Sequence, residues 1–385
     1  MDDFYAETQG WAIDLEFKPN MLEAMQRVYA WYGGELMDRP PIRFSRHNAE
    51  YELRQRSKTW PSLKDRWFDT AYQVDDFIEQ AKAMRFNAET FPVFWPNLGP
   101  NVFAACYAGV EYEFGEVTAW TTAEQSGAAD YDFDYTPPTI DWNSEYIHKL
   151  DEMTDHAMEL AKGRFMVGYT DIHPGMDWTV AIKGNDAMLI GLVEDPDAVL
   201  ALAHAAEADF AEFYNRYHDK LRAAGQPSIT WLNVPSYGRM HVPSADFSTM
   251  ISDEHFDEFC RPALERECLQ MTHNVFHVDG KGVARHTDSI LTLPNLQGIQ
   301  WVHGVGDDAP IMQWVPYIQK VQDAGKGIMI DITPDELDPI MAALKPGGLY
   351  LCIATETEEQ EHEIIDKTLR WGKAPVVAVP GRPEE

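Results

Sequence analysis

The sequence predicts an α/β protein of the (β/α)8 TIM-barrel type, with an N-terminal helical extension and an acidic insertion. Three observations lead there. Short apolar strand candidates alternate with helical segments of roughly 10–25 residues, the pattern of a parallel sheet with crossover helices. About eight such units follow one another, which suits a closed barrel. The competing doubly wound sheet would carry a dinucleotide-binding glycine fingerprint or a phosphate-binding GKS/T loop, and neither is present.

The elements come in order. Met21, Met25, Val28, Tyr29 and Tyr32 keep helical spacing over residues 20–34, and Gly33-Gly34 ends the run. Strand candidates follow at 40–45 and 86–93, the second after a helix around 74–84. Residues 111–142 hold Glu111, Glu113, Glu116, Asp130, Asp132, Asp134 and Pro137-Pro138, and read as a long surface insertion with one hairpin. From residue 145 the alternation sharpens. Helices are expected at 145–162, 196–224, 253–273, 284–291, 311–324, 334–344 and 358–369. Strands are expected at 164–169, 229–234, 274–278, 298–302, 327–332 and 348–353. There is no fixed short repeat, and residues 1–385 read as one domain.

Composition narrows the function. Lys plus Arg total 31 against 63 Asp plus Glu, a formal net charge of −32, which repels nucleic-acid phosphates and anionic headgroups. No apolar run approaches the ~20 residues that span a bilayer, and the acidic start Met1-Asp2-Asp3 lacks a secretory flank. The expectation is a cytoplasmic enzyme with a small-molecule substrate and no nucleic-acid or membrane partner; a homo-oligomer stays open. Cys106, Cys260, Cys268 and Cys352 form no CxxC pair and are expected as thiols.

Barrel enzymes carry their chemistry just past the strand ends. The polar residues there are Arg46 and His47, Asp171 and His173, Tyr237 and Arg239, His277 and Asp279, His303, Asp331, and Cys352 with Thr355-Glu356. Buried charges are costly unless paired or coordinated, so their convergence from several strands marks a site. In His277-Val278-Asp279, residues i and i+2 share one strand face, and imidazole with carboxylate suits zinc. Cys352 is the candidate third metal ligand, from a neighbouring strand. The competing reading is a hydrogen-bonded His–Asp pair with no metal. Asp171, His173, His303 and Asp331 are candidates to orient or deprotonate substrate, and Arg46, Tyr237, Arg239 and Trp301 to bind it.

The region 244–369 resembles the uroporphyrinogen decarboxylase superfamily. The resemblance rests on Phe256-Asp257-Glu258-Phe259-Cys260-Arg261-Pro262, Phe276-His277-Val278-Asp279-Gly280, Gln300-Trp301-Val302, Gly325-Lys326-Gly327-Ile328-Met329-Ile330 and Gly347-Gly348-Leu349-Tyr350-Leu351-Cys352, in that order. It implies a (β/α)8-type barrel. The decarboxylases hold substrate carboxylates with two arginines after the first strand; here Arg46 keeps the first, and Glu50 occupies the second. Their aspartate-bearing segment corresponds to Glu89–Phe94, which has no Asp. The chain is therefore closer to the methylcobamide:coenzyme M methyltransferase branch, which holds zinc with a His-x-Cys pair and a later Cys. Here His277-Val278-Asp279 stands at that pair, with Cys352 near the later Cys.

Three functions follow. One is a zinc-assisted methyltransferase using His277, Asp279 and Cys352, with a corrinoid carried by a partner protein, since the Asp-x-His-x-x-Gly cobalamin motif is absent. Another is a metal-free carboxy-lyase on a small acid, clamped by Arg46 and Arg239. The third is a non-catalytic tetrapyrrole- or corrinoid-binding barrel, for which Trp95, Trp178 and Trp301 would supply aromatic surface.

Overall fold

The computed structural model describes residues 15–46, 58–123 and 137–373. Six parallel strands form a curled sheet in the order β1-β10-β9-β8-β7-β6. They are β1 Ile42–Arg46, β6 Met240–His241, β7 His273–Asp279, β8 Leu296–Val302, β9 Gly327–Ile332 and β10 Leu349–Thr355. β2 Val93–Phe94 and β5 Met166–Val167 pair parallel in a separate sheet. β3 Tyr112–Phe114 and β4 Ala119–Thr121 form an antiparallel hairpin within the expected insertion. Asp130, Asp132 and Asp134 of that insertion, with His47 and Glu50, lie outside the described residues.

Among the described residues the parallel strands form a six-stranded curled sheet and a separate pair, rather than one continuous eight-stranded sheet. The break is local. Residues 229–234 do not extend as a strand: Asn233 takes a left-handed φ of 64°, and its N–H turns back to Thr230 O at 2.9 Å. Single backbone bonds bridge the two sheets instead, Glu89 N to Ile42 O at 2.8 Å and Tyr169 N to Ile229 O at 3.0 Å.

Strand alternation sorts the side chains into two layers. Ile42, Phe44, Phe276, Val278, Ile299, Trp301, Ile328, Ile330, Leu351 and Ile353 face outward into the main core with the helices. Val275, Met329, Tyr350 and Cys352 face inward, where the helix Met21–Tyr32 plugs the N-terminal end of the sheet with Met21, Met25, Val28 and Trp31. Trp31 donates to Gly348 O at 3.0 Å. A Cβ at Gly327 or Gly298 would lie 2.5 or 2.8 Å from its ring, so both strands need glycine where the indole lies flat against them.

The same end buries charge in a closed arrangement. Glu89, fully buried, accepts from Arg39 at 2.7 Å, Arg27 at 3.2 Å and Ile42 N at 2.8 Å. Arg27 also donates to Asp38 at 2.7 Å. Lys18 donates to Phe86 O at 2.7 Å, and burial lowers its amine to about 7 despite Glu89. No helix among the described residues is long and apolar enough to cross a membrane, and the four cysteines are free.

Candidate active site

At the C-terminal strand ends the inward face turns polar. Asp279 pairs with Val302, Trp301 with Ile330, Cys352 with Asp331 and Arg43 with Cys352. One rung further, Val302 comes level with Asp331. Asp279, Val302, Asp331, Cys352 and Arg43 therefore form one row across the sheet and point to the same side.

The first cluster is built on β7 and the loop after β6. Asp246, His277 and Asp279 each offer a ligand atom, and these atoms lie within 4.8 Å of one another. Gln300, beside His277 on β8, hydrogen-bonds His277 Nδ1 through its carbonyl oxygen, so that ring nitrogen carries the proton and Nε2 stays available. Trp231 stands edge-on to the His277 ring at 5.5 Å. Asp246 is held in place by Asp177 of the helix Gly175–Lys183. Asp177 accepts from Ser244 Oγ at 2.7 Å, Asp246 N at 3.2 Å and Phe247 N at 3.3 Å. Desolvation in the cleft wall, then Asp177, push the Asp246 carboxyl up to about 6 against the pull of His277 and His173, although its outer edge is exposed.

Asp171 and His173 meet beside this cluster. His173 Nε2 lies 2.8 Å from Asp171 Oδ2, and Nδ1 lies 2.7 Å from Ser244 Oγ. Trp231 Nε1 donates to Asp171 Oδ1 at 2.9 Å. Burial alone would lower the His173 imidazole, but Asp171, with help from Asp177 and Asp246, raises it to about 10. At neutral pH His173 is therefore a fixed cation that orients and attracts, rather than a base.

The second cluster lines a cavity of about 530 Å³ between β1, β8, β9 and β10, with Arg43, Ser45, His303, Asp331, Glu336 and Cys352 in its wall. Burial raises the Asp331 carboxyl, opposed by Arg43 and His303. Burial pushes the Cys352 thiol up to about 12, with Arg43 opposing. His303 Nδ1 is buried and has no hydrogen-bond partner among the described residues.

The expected residues thus fall into two groups. Asp171, His173, His277 and Asp279 come together, and His303, Asp331 and Cys352 come together elsewhere. Cys352 does not join His277: the ligand atoms that lie within 4.8 Å of one another are those of Asp246, His277 and Asp279, and β8 and β9 stand between β7 and β10 in the sheet. Arg46 points to the helix side, where it pairs with buried Glu361 at 2.5 Å; by alternation the inward arginine is Arg43. Trp301 is fully buried in the outer core, with ring centroids 5.1 Å from Trp314 and 4.5 Å from Tyr317. Tyr237 and Arg239 lie at the opposite end, ahead of β6. Tyr237 packs on Tyr29 with centroids 5.9 Å apart, and Arg239 donates to Gln270 O and Asn215 and covers Tyr214. The sequence pattern places both after a strand at 229–234, whereas the strand of the sheet is β6, which follows them. The polar loop after β6, with Ser244 and Asp246, is signalled in the sequence only by the short run Met240-His241-Val242 before it.

No family model matches the chain, and no curated protein matches it in sequence. Among solved structures, a methyltransferase from Methanosarcina mazei matches it with a TM-score of 0.58 and 12% sequence identity, over 91% of this chain and 99% of that one. At that identity the likeness is one of fold.

Proposed function

We propose that this chain is a metal-assisted methyltransferase acting on a small methylated or methyl-accepting substrate, with a partner protein carrying the methyl group on a corrinoid, in an interrupted (β/α)8-type barrel. The observation that carries it is the convergence of Asp246, His277 and Asp279 on the inward face of the strand ends. The fold shared with a methyltransferase supports it. One imidazole and two carboxylates suit zinc, and a three-ligand set leaves room for substrate. Gln300 and Asp177 supply the outer bonds that hold the ligands in orientation. When bound, zinc would supply Lewis acidity that lowers the pKa of a coordinated nucleophile. The remaining work falls to the chain: Asp171 holds His173 cationic at the edge of the cleft, and Asp177 fixes the Asp246 loop.

Zinc content of protein purified without added metal, wild type beside His277→Ala, tests this. Near-stoichiometric zinc lost in the variant supports the reading. A wild type that takes up no zinc on addition rejects it.

A second reading, a metal-free carboxy-lyase on a small acid, is favoured by one feature: the inward-facing guanidinium of Arg43. The tetrapyrrole- or corrinoid-binding reading keeps only the half-buried Trp95 as aromatic surface, because Trp178 and Trp301 are fully buried in the core.

A further inference from the structure

None of Asp246, His277 and Asp279 lines the cavity between β1, β8, β9 and β10. Its wall contains a cation unlike the others nearby. Arg27, Arg39 and Arg46 each close on a carboxylate. Arg43 donates instead to the Leu232 carbonyl oxygen at 2.7 Å, lies against the Cys352 thiol, and has no ion-pair partner among the described residues. A guanidinium has five N–H donors in a planar fork, so most of its capacity remains for a ligand.

The rest of the wall does not neutralise it. Glu336 is occupied: it accepts from Thr333 N at 2.9 Å, Thr333 Oγ1 at 3.0 Å and Ile311 N at 3.1 Å, as the cap of the following helix. Cys352 stays a neutral thiol, since burial pushes it up to about 12. His303 brings a buried ring nitrogen with no partner among the described residues. Asp331 remains as the one competitor for Arg43. Leu232, which holds Arg43, directly follows Trp231, whose ring stands against His277. Arg43 and the Asp246–His277–Asp279 group therefore flank two consecutive residues of one loop.

We propose that Arg43 anchors a small-carboxylate subsite in this cavity, with His303 as the second polar contact, and that it holds the anionic end of the substrate. The reaction in which that substrate takes part rests on the methyl-transfer reading; the binding does not. A planar carboxylate matches the guanidinium fork in two parallel hydrogen bonds, and a cavity of about 530 Å³ admits a small acid but not a tetrapyrrole with many carboxylates.

The test is calorimetric titration of the full chain with acetate and propanoate, and with acetamide as the uncharged control. Wild type is expected to bind both acids at millimolar concentration and acetamide far more weakly. Arg43→Gln should lose about tenfold or more of the acid affinity, and Arg43→Lys should recover part of it. Asp331→Asn should tighten binding by removing the competitor. Zinc content is measured on the same samples. Arg43-dependent acid binding without zinc would keep the subsite and reject the metal reading, whereas zinc without acid binding would do the reverse. Acid affinity unchanged in a folded Arg43→Gln protein, or binding weakened in Asp331→Asn, overturns the proposal.

Discussion

Both ends of the inward sheet face carry carboxylates and arginine and use them differently. At the N-terminal end Glu89 takes Arg39, Arg27 and a backbone N–H together, and the helix Met21–Tyr32 seals the layer. At the C-terminal end ligand atoms of Asp246, His277 and Asp279 converge within 4.8 Å of one another, and Arg43 faces a cavity without an ion-pair partner among the described residues. A buried charge matched by an opposite charge within the chain holds the fold. A charge whose bonds are left open at a strand end is available to a ligand. The difference lies in completeness of pairing rather than residue identity.

The largest effect should come from breaking the closed end. Glu89→Ala leaves the buried Arg39 guanidinium uncompensated and takes one carboxylate from Arg27, and should cost about 3–5 kcal/mol in urea unfolding. Trp31→Ala opens a void against Gly298 and Gly327 and should cost a comparable ~3–5 kcal/mol. Substitution at the open end should do the opposite. His277→Ala and Asp279→Asn should leave metal-free stability within about 1 kcal/mol of wild type while abolishing metal uptake. A metal-free melting temperature as low in His277→Ala as in Glu89→Ala would erase the distinction.

Two histidines sharpen the contrast through pH. His273, at the start of β7, stacks on Tyr32 at 4.2 Å, and burial lowers it to about 4. The unfolded chain, with an ordinary pKa near ~6.5, binds the proton first, so the stability from keeping this ring neutral is lost as pH falls from ~6.5 toward 4. His173 runs the other way. Held near 10, its contribution is full below ~6.5 and is lost as pH rises toward 10. In unfolding titrations His273→Gln should flatten the acid limb and His173→Gln the alkaline limb. The smallest effect is expected for Arg239→Ala: a modest stability loss of roughly 1 kcal/mol, with metal and acid binding unchanged, because its contacts are Gln270, Asn215 and Tyr214 at the closed end.

Much of this is legible in the sequence. The apolar strands β7 to β10 and the long helices were found because their periods are strong, and β9 begins and ends where expected. His277 and Asp279 share a face because strands have a period of two. Other errors have identifiable causes. The resemblance selects Arg46, but strand alternation from Ile42 turns Arg43 inward and puts Arg46 against Glu361. Cys352 reads as a neighbour of His277 because sequence order does not reveal that β8 and β9 intervene. Asp246 was invisible because its strand is two residues long, and its position depends on Asp177, nearly seventy residues away in sequence.

The most direct test compares zinc binding by calorimetry in wild type, Asp246→Asn and Cys352→Ala. The expected result is stoichiometric zinc in wild type, affinity reduced at least about tenfold in Asp246→Asn, and no change in Cys352→Ala. Zinc binding that survives loss of Asp246 but fails with loss of Cys352 would contradict the placement of the metal at the Asp246–His277–Asp279 group.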